Sequence, residues 1–315
     1  MPTISARAYK EGLPKYSKIN FWELSARIGT VASILGFGIA VFYYNAKPTE
    51  YIYSVFLILC LICLLGYVLF QEYRKLNRFA QSTIFVHYIT HIIRDILEKQ
   101  KNTRSTDFDL KAINSFLLDP ISTCFSILTG RSCRVCLKIL KSEDSKIVIE
   151  TLGRDTVSTA IGKERKSPEV KHYLEENTDF NKLWYWEKGC SRYFLCNNLL
   201  ELYRDNRYKN SSFMLVGEPK ISDLVLGIKI VREWKLPYKS TLVVPIRYIP
   251  DEAMHSEIEK QIIWGFLCID CNSRKVFDPI YAPELAAAFA DNLYTLFSQL
   301  ELMKESFASP LTANA

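Results

Sequence analysis

Residues 240–246 read Ser-Thr-Leu-Val-Val-Pro-Ile, and residues 264–270 read Trp-Gly-Phe-Leu-Cys-Ile-Asp. Both stretches are rich in β-branched and aromatic residues, which favour strands. A polar segment at 251–259 separates them. The pattern therefore predicts two neighbouring strands, over 238–248 and 262–271.

The flanking segments complete an α+β pattern. Residues 134–140 (RVCLKIL) and 147–152 (IVIETL) alternate between apolar and polar side chains and are bounded by Ser, Asp and Gly, which predicts a β-hairpin. Helical spacing occupies 108–128 on one side and 282–304 on the other, and residues 153–234 form a long irregular segment. The order helix, two strands, irregular segment, two strands, helix predicts an α+β fold in which helices flank an antiparallel sheet.

The two stretches quoted first, together with Phe277 and the helix of 282–300, resemble the GAF domain family of small-molecule sensor modules. That family has a strand ending in Val-Pro-Ile, a strand built on Gly-x-Leu-x-Ile-Asp, then a Phe and a terminal helix. Gly265 is expected to let its strand pass close to neighbouring side chains, and Asp270 to end that strand before a turn. The resemblance covers 105–304. It implies that the first and last strands are neighbours and that a ligand lies between the sheet and the irregular segment.

The irregular segment carries the residues expected to contact that ligand. Aromatic side chains beside Arg and Asn donors suit a nucleobase or another flat polar molecule. The candidate ligand-binding residues are Trp184, Trp186, Arg192, Tyr193, Asn197, Asn198, Tyr203 and Ser240. The alternative is that the aromatic side chains only fill the open face of the sheet. The chain lacks the Asn-Lys-Phe-Asp-Glu signature of cyclic-nucleotide-binding GAF domains in phosphodiesterases, so cyclic mononucleotides are not favoured over other ligands.

Composition limits the class of protein. A chain of 315 residues predicts about two structural units. With 49% apolar and 23% charged residues, it is neither a disordered nor a collagen-like chain. The net charge of +6 is small and is concentrated beside two apolar runs, so no nucleic acid partner is expected.

Those two uncharged runs, residues 28–46 and 51–70, are each long enough to cross a bilayer. A short polar connection containing Pro48 separates them, which predicts a transmembrane helical hairpin over 28–70 with the lipid bilayer as a partner. Basic residues flank only its outer ends: Arg7, Lys10, Lys15, Lys18 and Arg27 before it, and Arg74, Lys75 and Arg78 after it. The positive-inside rule then places the N-terminal segment 1–27 and the C-terminal domain on the cytoplasmic side of the membrane, which is expected to be a bacterial-type inner membrane.

Residues 71–104 contain no Gly or Pro and predict a continuous connector helix. Apolar and Thr side chains follow the spacing of a coiled-coil seam at Leu76, Phe79, Thr83, Val86, Thr90, Ile93 and Leu97. The seam predicts a homodimer, and the alternative is an amphipathic helix packed on its own domain. His87 and His91 are one turn apart on this helix, but no third ligand is evident, so no metal site is expected.

Two pairs of cysteines have the spacing of zinc ligands, Cys133 with Cys136 and Cys268 with Cys271. Each pair lies on or beside a predicted strand, where residues i and i+3 face opposite sides. Buried reduced thiols are therefore the first interpretation. The family resemblance makes the two strands neighbours, which keeps a four-Cys zinc site open as an alternative. A cytoplasmic location argues against structural disulfides.

No catalytic motif is present. The chain has no P-loop, no Gly-x-Ser-x-Gly and no His-Glu-x-x-His, and none of its four His pairs with a Cys or Ser nucleophile in the sequence. No catalytic residue, cofactor or enzymatic activity is therefore expected. The short polar tail 305–315, expected to be disordered, leaves no room for an output domain after the terminal helix.

The resemblance and the apolar runs together predict a membrane-anchored small-molecule sensor that passes ligand binding to its hairpin or to a partner protein. Two alternatives stay open. One is a membrane-perturbing effector gated by a nucleotide messenger, as in antiphage defence, which predicts toxicity that depends on the hairpin. The other is a ligand-free GAF-like module that dimerises and recruits another protein, which predicts a filled site and unconditional dimerisation.

Overall fold

The computed structural model describes residues 48–103, 114–143, 146–162, 171–184, 192–223, 229–248 and 262–308, together with isolated helical residues between positions 29 and 40. The chain divides into two units, Met1–Leu76 and Asn77–Ala315. Some sequence predictions fall outside the described residues: the segment 1–27, most of the first apolar run, and Trp186.

Helix α1, Pro48–Thr103, contains the second apolar run and the predicted connector. The connector lacks Gly and Pro, which explains why nothing interrupts the helix there. By length and composition its segment Val55–Thr103 could cross a membrane, since its most apolar window has a mean hydropathy of 2.3 and is 0% buried. Among the described residues this is the one helix that is long and apolar enough to cross a membrane, so the second helix of the hairpin stays a prediction.

Five antiparallel strands form the main sheet, in the order β2-β1-β7-β6-β3. Their bounds are Cys133–Glu143 for β1, Lys146–Arg154 for β2, Phe194–Cys196 for β3, Ser240–Tyr248 for β6 and Ile262–Cys271 for β7. A separate hairpin consists of β4 and β5, Lys220–Asp223 and Lys229–Glu233. The predicted α+β class with an antiparallel sheet is confirmed, and so is the adjacency of the first and last strands, β1 and β7.

The short strands β3, β4 and β5 were not predicted from the sequence. Runs of three to five residues carry too little alternation to be recognised inside a polar segment. Strand β3 pairs with β6 at the edge of the main sheet, so the segment predicted to be irregular supplies the fifth strand.

The helices that follow α1 are mostly short. They are a π-helical turn at Asn114–Leu118, α2 at Asp119–Thr129, α3 at Thr156–Gly162, a 3₁₀ turn at Leu174–Glu176, α4 at Thr178–Trp184, α5 at Leu199–Arg204, α6 at Phe213–Val216 and α7 at Tyr281–Ala308. Pro120 lies in the first turn of α2, where a missing N–H is tolerated, which explains the interruption predicted there. Gly130 ends α2 with a φ of 66°, a conformation that favours glycine. Helix α7 continues past residue 304, its predicted end.

The main sheet has two buried faces that enter separate cores. The helix face lies under α2, α7 and part of α1, and its buried strand residues are Cys133, Val135, Leu137, Leu242, Val244, Ile246, Leu267, Ile269 and Cys271. The cover face lies under the segment between β2 and β6, which we call the cover layer, and its buried strand residues are Cys136, Ile149, Phe194, Val243, Phe266 and Cys268. Burial on both faces explains why β6 and β7 are nearly continuous apolar runs.

The connector part of α1 packs on its own domain. Ile89 is 0% exposed and Ile93 is 4% exposed in the helix-face core. Two further residues of the predicted seam, Val86 and Leu97, pack against the same core. In the single chain, the connector is therefore an amphipathic helix packed on its own domain, which was the alternative to the coiled-coil seam. The homodimer stays a prediction.

Strand β7 approaches β1 most closely at Gly265, which lies opposite Ile139. A Cβ atom on Gly265 would overlap the backbone carbonyl oxygen of Lys138 and would lie 3.3 Å from the Cα of Ile139. Gly265 therefore permits a close approach, but to the backbone of β1 rather than to the neighbouring side chains that were expected.

Candidate ligand site on the cover face

An aromatic shell surrounds the centre of the cover face. Phe266 of β7 is 0% exposed, and its ring centroid lies 4.9 Å from that of Phe180 in α4. Elsewhere in the shell, the ring of Phe213 lies 5.3 Å from Tyr203 and 5.7 Å from Trp234. An apolar enclosure of this kind strengthens hydrogen bonds and electrostatic interactions between any polar groups inside it.

Two carboxyl groups face the same core as this shell, and Asp179 is buried whereas Asp270 is half-buried. Asp270 of β7 is paired in register with Thr241 of β6, whose Oγ1 donates a hydrogen bond to Asp270 Oδ1 at 2.6 Å. Asp179, in the first turn of α4, is 4% exposed, and its Oδ1 accepts the N–H of Phe180 at 3.0 Å. Among the described residues, neither carboxyl forms an ion pair with a basic side chain.

Burial raises the pKa of both carboxyl groups. The pKa of Asp179 is raised to about 7, mainly by burial, and the Asp270 carboxylate contributes to the rise. The pKa of Asp270 is raised to about 6, again mainly by burial, while the hydrogen bond from Thr241 acts in the opposite direction. Both carboxyl groups therefore change between the protonated and the ionised form near neutral pH. Each can donate a hydrogen bond when protonated and accept one in either form.

Two tyrosines and an asparagine lie in the same buried region. Asn210 Nδ2 donates to the hydroxyl oxygens of Tyr208 at 2.8 Å and Tyr238 at 3.2 Å. Burial is the main cause that raises the pKa of both phenols, and the charges of Asp179 and Asp270 add to it. The hydroxyls therefore stay protonated and can donate hydrogen bonds. We call these five residues the polar cluster.

The structure places four of the sequence-predicted ligand residues in different surroundings. Trp184 packs with the cover-face core, and so does Tyr203, whose hydroxyl donates to Glu218 Oε2 at 2.6 Å. Burial and then Glu218 raise the pKa of Tyr203 to about 12. Tyr193 packs against the helix-face core instead, and Arg192 is exposed.

Asn197 and Ser240 make hydrogen bonds to the backbone. The Asn197 side chain donates to the carbonyl of Phe277 at 2.7 Å and accepts its N–H at 3.0 Å. Ser240 is 0% exposed, and its hydroxyl lies 2.9 Å from the carbonyl of Asn197 and 2.8 Å from that of Ser273. Ser240 alternates with Thr241 along β6, so it faces the helix side of the sheet rather than the cover layer.

Asn198 lies just before α5, and its Nδ2 donates to Glu201 Oε2 at 2.9 Å. Its Oδ1 is buried and has no hydrogen-bond partner in the part of the chain that the structure describes. Of the predicted residues that the structure describes, only Trp184 and Tyr203 thus pack with the cover-face core.

We expect Asn197→Ala to lower the free energy of unfolding by about 2–3 kcal/mol, because the N–H and C=O of Phe277 both lose a partner. Thermal unfolding of the detergent-purified chain measures the change. Asn198→Ala is the matched control, since it removes one exposed side-chain bond, and its loss should be less than half as large. Equal losses for the two variants would contradict the assignment of Asn197 to the backbone of Phe277.

Sequence reasoning missed most of the polar cluster. Asp270 was assigned to the end of its strand, although its period-two spacing from Cys268 and Phe266 was a signal that it faces the same core. Asp179 lies on a short helix and Asn210 in the irregular segment before α6, and neither has a periodic pattern around it, so nothing in the sequence indicated their burial.

A serine–histidine pair also escaped the sequence analysis, which expected none. His172 Nδ1 lies 2.6 Å from Ser211 Oγ, and Ser211 is 3% exposed. Both the N–H and the hydroxyl of Ser211 are 3.1 Å from Asn177 Oδ1. Burial is the main cause that lowers the pKa of His172. The pair links the 3₁₀ turn to the segment before α6, and the hydroxyl lies inside the protein.

Potential metal ligands are scattered in the part of the chain that the structure describes. No group of three or more His, Cys, Asp or Glu side chains there could hold a metal ion. The alternative of a four-Cys zinc site is wrong, because Cys133 and Cys271 face the helix side whereas Cys136 and Cys268 face the cover layer. On α1, His87 Nε2 and His91 Nε2 are 2.9 Å apart.

No protein-family model and no curated protein matches the chain. Solved structures that are similar to it include the GAF domain of an Acinetobacter phosphoenolpyruvate-protein phosphotransferase, with 12% identity, coverage of 67% of this chain and 92% of that chain, and a TM-score of 0.37. Another is a far-red-absorbing dark state with bound biliverdin, with 14% identity, coverage of 65% and 99%, and a TM-score of 0.27. Both TM-scores are low, and the α+β fold described above rests on the antiparallel sheet and the adjacency of β1 and β7 in this structure.

Proposed function

We propose that this protein is a membrane-anchored sensor whose GAF-like domain binds a small, flat, nitrogen-containing ring between the cover face and the cover layer. The polar cluster is the observation that carries the proposal. It places two carboxyl groups, two protonated phenols and an amide beside an aromatic shell. Burial disfavours the charged form of both carboxyl groups, so the cluster lowers the stability of the unliganded fold near neutral pH and is difficult to explain by stability alone.

The chemistry of the cluster defines the ligand class. An ionised carboxylate of Asp179 or Asp270 can accept two N–H bonds from the amidine edge of a guanine-like ring, and charge-assisted bonds of this kind are strong. The hydroxyls of Tyr208 and Tyr238 can donate to a ring nitrogen or carbonyl oxygen. The aromatic side chains of the shell can contact a face of the ring. A ligand with N–H donors is therefore favoured over an anion without them.

The proposal includes the membrane anchor and the route of the signal. The hairpin 28–70 would hold the domain at a bacterial inner membrane with both ends in the cytoplasm. Helix α1 supports this part, because the same helix contains an apolar run of membrane length and supplies Ile89 and Ile93 to the core of the domain. A ligand that binds two packings of that core with different affinity would shift α1, and through it a homodimer or a partner protein.

We expect the detergent-purified full chain to co-purify with such a ring or to bind one on addition. Native mass spectrometry tests the first case, and thermal shifts with guanosine and adenosine nucleotides, including cyclic forms, test the second. Asp270→Asn should weaken binding by about tenfold, which corresponds to about 1.4 kcal/mol for the loss of a charged acceptor. The matched control is Asp291→Asn on the exposed side of α7, which should leave binding unchanged.

An unoccupied chain that responds to none of these nucleotides and stays dimeric would contradict the proposal and favour the recruitment module. Binding that Asp270→Asn and Asp291→Asn weaken equally would place the ligand elsewhere. A gated effector would bind as proposed, and in addition its expression with the messenger would be toxic only when residues 28–70 are present.

A further inference from the structure

The two Cys-x-x-Cys motifs lie opposite each other on the adjacent strands β1 and β7. The antiparallel register pairs Cys133 with Cys271 and Cys136 with Cys268. Because β1 and β7 are antiparallel, a single register places both cysteines of β1 opposite cysteines of β7. One pair lies on the helix face and the other on the cover face, so the structure contains two separate cross-strand cysteine pairs.

Backbone hydrogen bonds distinguish the two pairs. The N–H of Cys133 donates to Ser126 Oγ at 2.9 Å, and its carbonyl accepts the hydroxyl of Ser122 at 2.8 Å, so both groups are directed away from β7. The carbonyl of Cys271 accepts the N–H of Lys239 on the far side of β7 at 2.8 Å. Cys133 and Cys271 are therefore a non-hydrogen-bonded pair, in which opposite side chains are closest.

This geometry is compatible with a disulfide. Cα atoms of a non-hydrogen-bonded antiparallel pair are about 4.5 Å apart, which lies at the short end of the range of about 4.4–6.8 Å found for disulfides. By alternation along the strands, Cys136 and Cys268 form a hydrogen-bonded pair, whose side chains diverge more. Their thiols also lie deeper in the sheet, three residues from its end.

The surroundings of Cys133 and Cys271 make the two thiols chemically different. The Cys133 thiol and the N–H and hydroxyl of Ser273 donate to the sulfur of Cys271, and together with Arg131 they lower the pKa of Cys271 to about 6. The contact with Cys271 and then burial raise the pKa of Cys133. These contacts favour ionisation of Cys271 over that of Cys133, and they act against the hydrogen bond that the Cys271 thiol donates to the carbonyl of Ser132 at 3.4 Å. By contrast, burial is the main cause that raises the pKa of Cys268.

The position of the pair allows a small reagent to reach it. Cys133 is the first residue of β1 and Cys271 is the last residue of β7. Their side chains are buried, but the neighbouring Arg131, Ser132 and Asn272 are exposed. Opening of strand ends requires less free energy than opening of a sheet interior.

We infer that Cys133 and Cys271 form a reversible disulfide when the protein meets a hydroperoxide. The Cys271 thiolate attacks the terminal oxygen of the hydroperoxide and the O–O bond breaks. The departing alkoxide takes from solvent the proton that the Cys271 thiol had released, which gives an alcohol, or water from hydrogen peroxide. The sulfenic acid on Cys271 is then attacked by the Cys133 sulfur, which forms the S–S bond, and the released hydroxide takes the Cys133 proton to become water. Two thiols are oxidised and one peroxide is reduced.

The disulfide would act first on α2. The Cys133 sulfur lies 3.3 Å from Thr129 Oγ1, and two serines of α2 hold the Cys133 backbone. Helix α2 in turn is joined to α1 by reciprocal bonds, since Ser82 Oγ donates to the Cys124 carbonyl and Cys124 Sγ donates to the Ser82 carbonyl, both at 3.3 Å. The modification site is therefore one helix away from the connector. It does not depend on the polar cluster, which lies on the other face.

The test uses the full chain, treated with hydrogen peroxide, quenched with N-ethylmaleimide and digested with trypsin and an Asp-specific protease. Cleavage after Arg134 separates Cys133 from Cys136, and cleavage before Asp270 separates Cys268 from Cys271, so mass spectrometry assigns each linkage. We expect the Cys133–Cys271 linkage to form about tenfold faster than the Cys136–Cys268 linkage, which serves as the internal control. Dithiothreitol should reverse it.

Two variants test the assigned roles. Cys133→Ser should leave a sulfenic acid on Cys271 that dimedone traps, whereas Cys271→Ser should prevent both the linkage and the dimedone adduct on Cys133. The inference is overturned if the two linkages form at the same rate, if no Cys133–Cys271 linkage forms while added glutathione is oxidised, or if dimedone labels Cys133 rather than Cys271. A natively folded Cys136→Ser variant should retain the linkage.

Discussion

Gly265→Ala is expected to prevent the main sheet from forming in its native register, with a loss of at least about 3 kcal/mol in the free energy of unfolding. The added methyl group would overlap the backbone carbonyl oxygen of Lys138, and a backbone atom cannot rotate away as a side chain can. Relief would require β1 and β7 to separate. These two strands form the centre of the sheet, so the ladder that both cores depend on would be disrupted.

The measurement is the yield and thermal unfolding of the detergent-purified variant, with limited proteolysis of the domain. Gly36→Ala is the matched control, because an added Cβ there meets no atom within 4 Å. It should leave the melting temperature of the domain unchanged. A Gly265→Ala variant that unfolds within about 1 kcal/mol of the native chain would mean that β7 does not lie this close to β1.

Asp179→Asn is expected to stabilise the unliganded protein at pH 8 and to flatten its dependence on pH. The folded-state pKa of Asp179 is raised from 3.8 to about 7, so the folded state binds more protons than the unfolded state between these values. Stability contributed by the protonated carboxyl is therefore complete below about pH 4 and is lost as the pH rises through about 7. Holding the buried carboxylate ionised costs on the order of 4 kcal/mol.

Melting temperatures from pH 5 to pH 8 measure this linkage, with Asp270→Asn giving a smaller effect of the same sign because its pKa is raised to about 6. Asp119→Asn is the control, since its carboxylate holds the N–H and hydroxyl of Thr156, both at 2.6 Å, and should be destabilising instead. A gain in stability from Asp179→Asn that does not grow between pH 5 and pH 8, relative to the native protein, would contradict the buried position of Asp179. The cost of ionisation is also what a ligand with N–H donors would offset on binding.

The sequence was sufficient for the parts of the fold that repeat a period. Strand β7 was predicted with its observed bounds, Ile262–Cys271, because its continuous apolar run ends in polar residues. The close approach at Gly265 followed from a glycine inside such a run. The long connector followed from the absence of Gly and Pro in 71–104, although its packing on the domain depended on Ile89 and Ile93 meeting a core that only the folded chain assembles.

The site could be predicted as a region but not as a set of residues. The sequence directed attention to the irregular segment, and Trp184 and Tyr203 do pack with the cover-face core. Asn197 was predicted to bind a ligand through its side-chain amide. That amide instead makes hydrogen bonds to the backbone of Phe277, 80 positions further along the chain. Asp179 and Asp270 come together because α4 lies over β7, and no local pattern encodes which short helix covers which strand.

The adjacency of β1 and β7 also determines the order in which the domain is completed during synthesis. β1 and β2 can pair as soon as residues 133–154 have left the ribosome, but the other edge of β1 is left open until β7 is made, more than a hundred residues later. An open strand edge is a template for pairing with other chains, and such long-range contacts form slowly. The apolar runs at 28–70 are synthesised before any strand of the sheet. Insertion of these runs into a membrane would therefore keep nascent chains apart while β1 still lacks its partner β7.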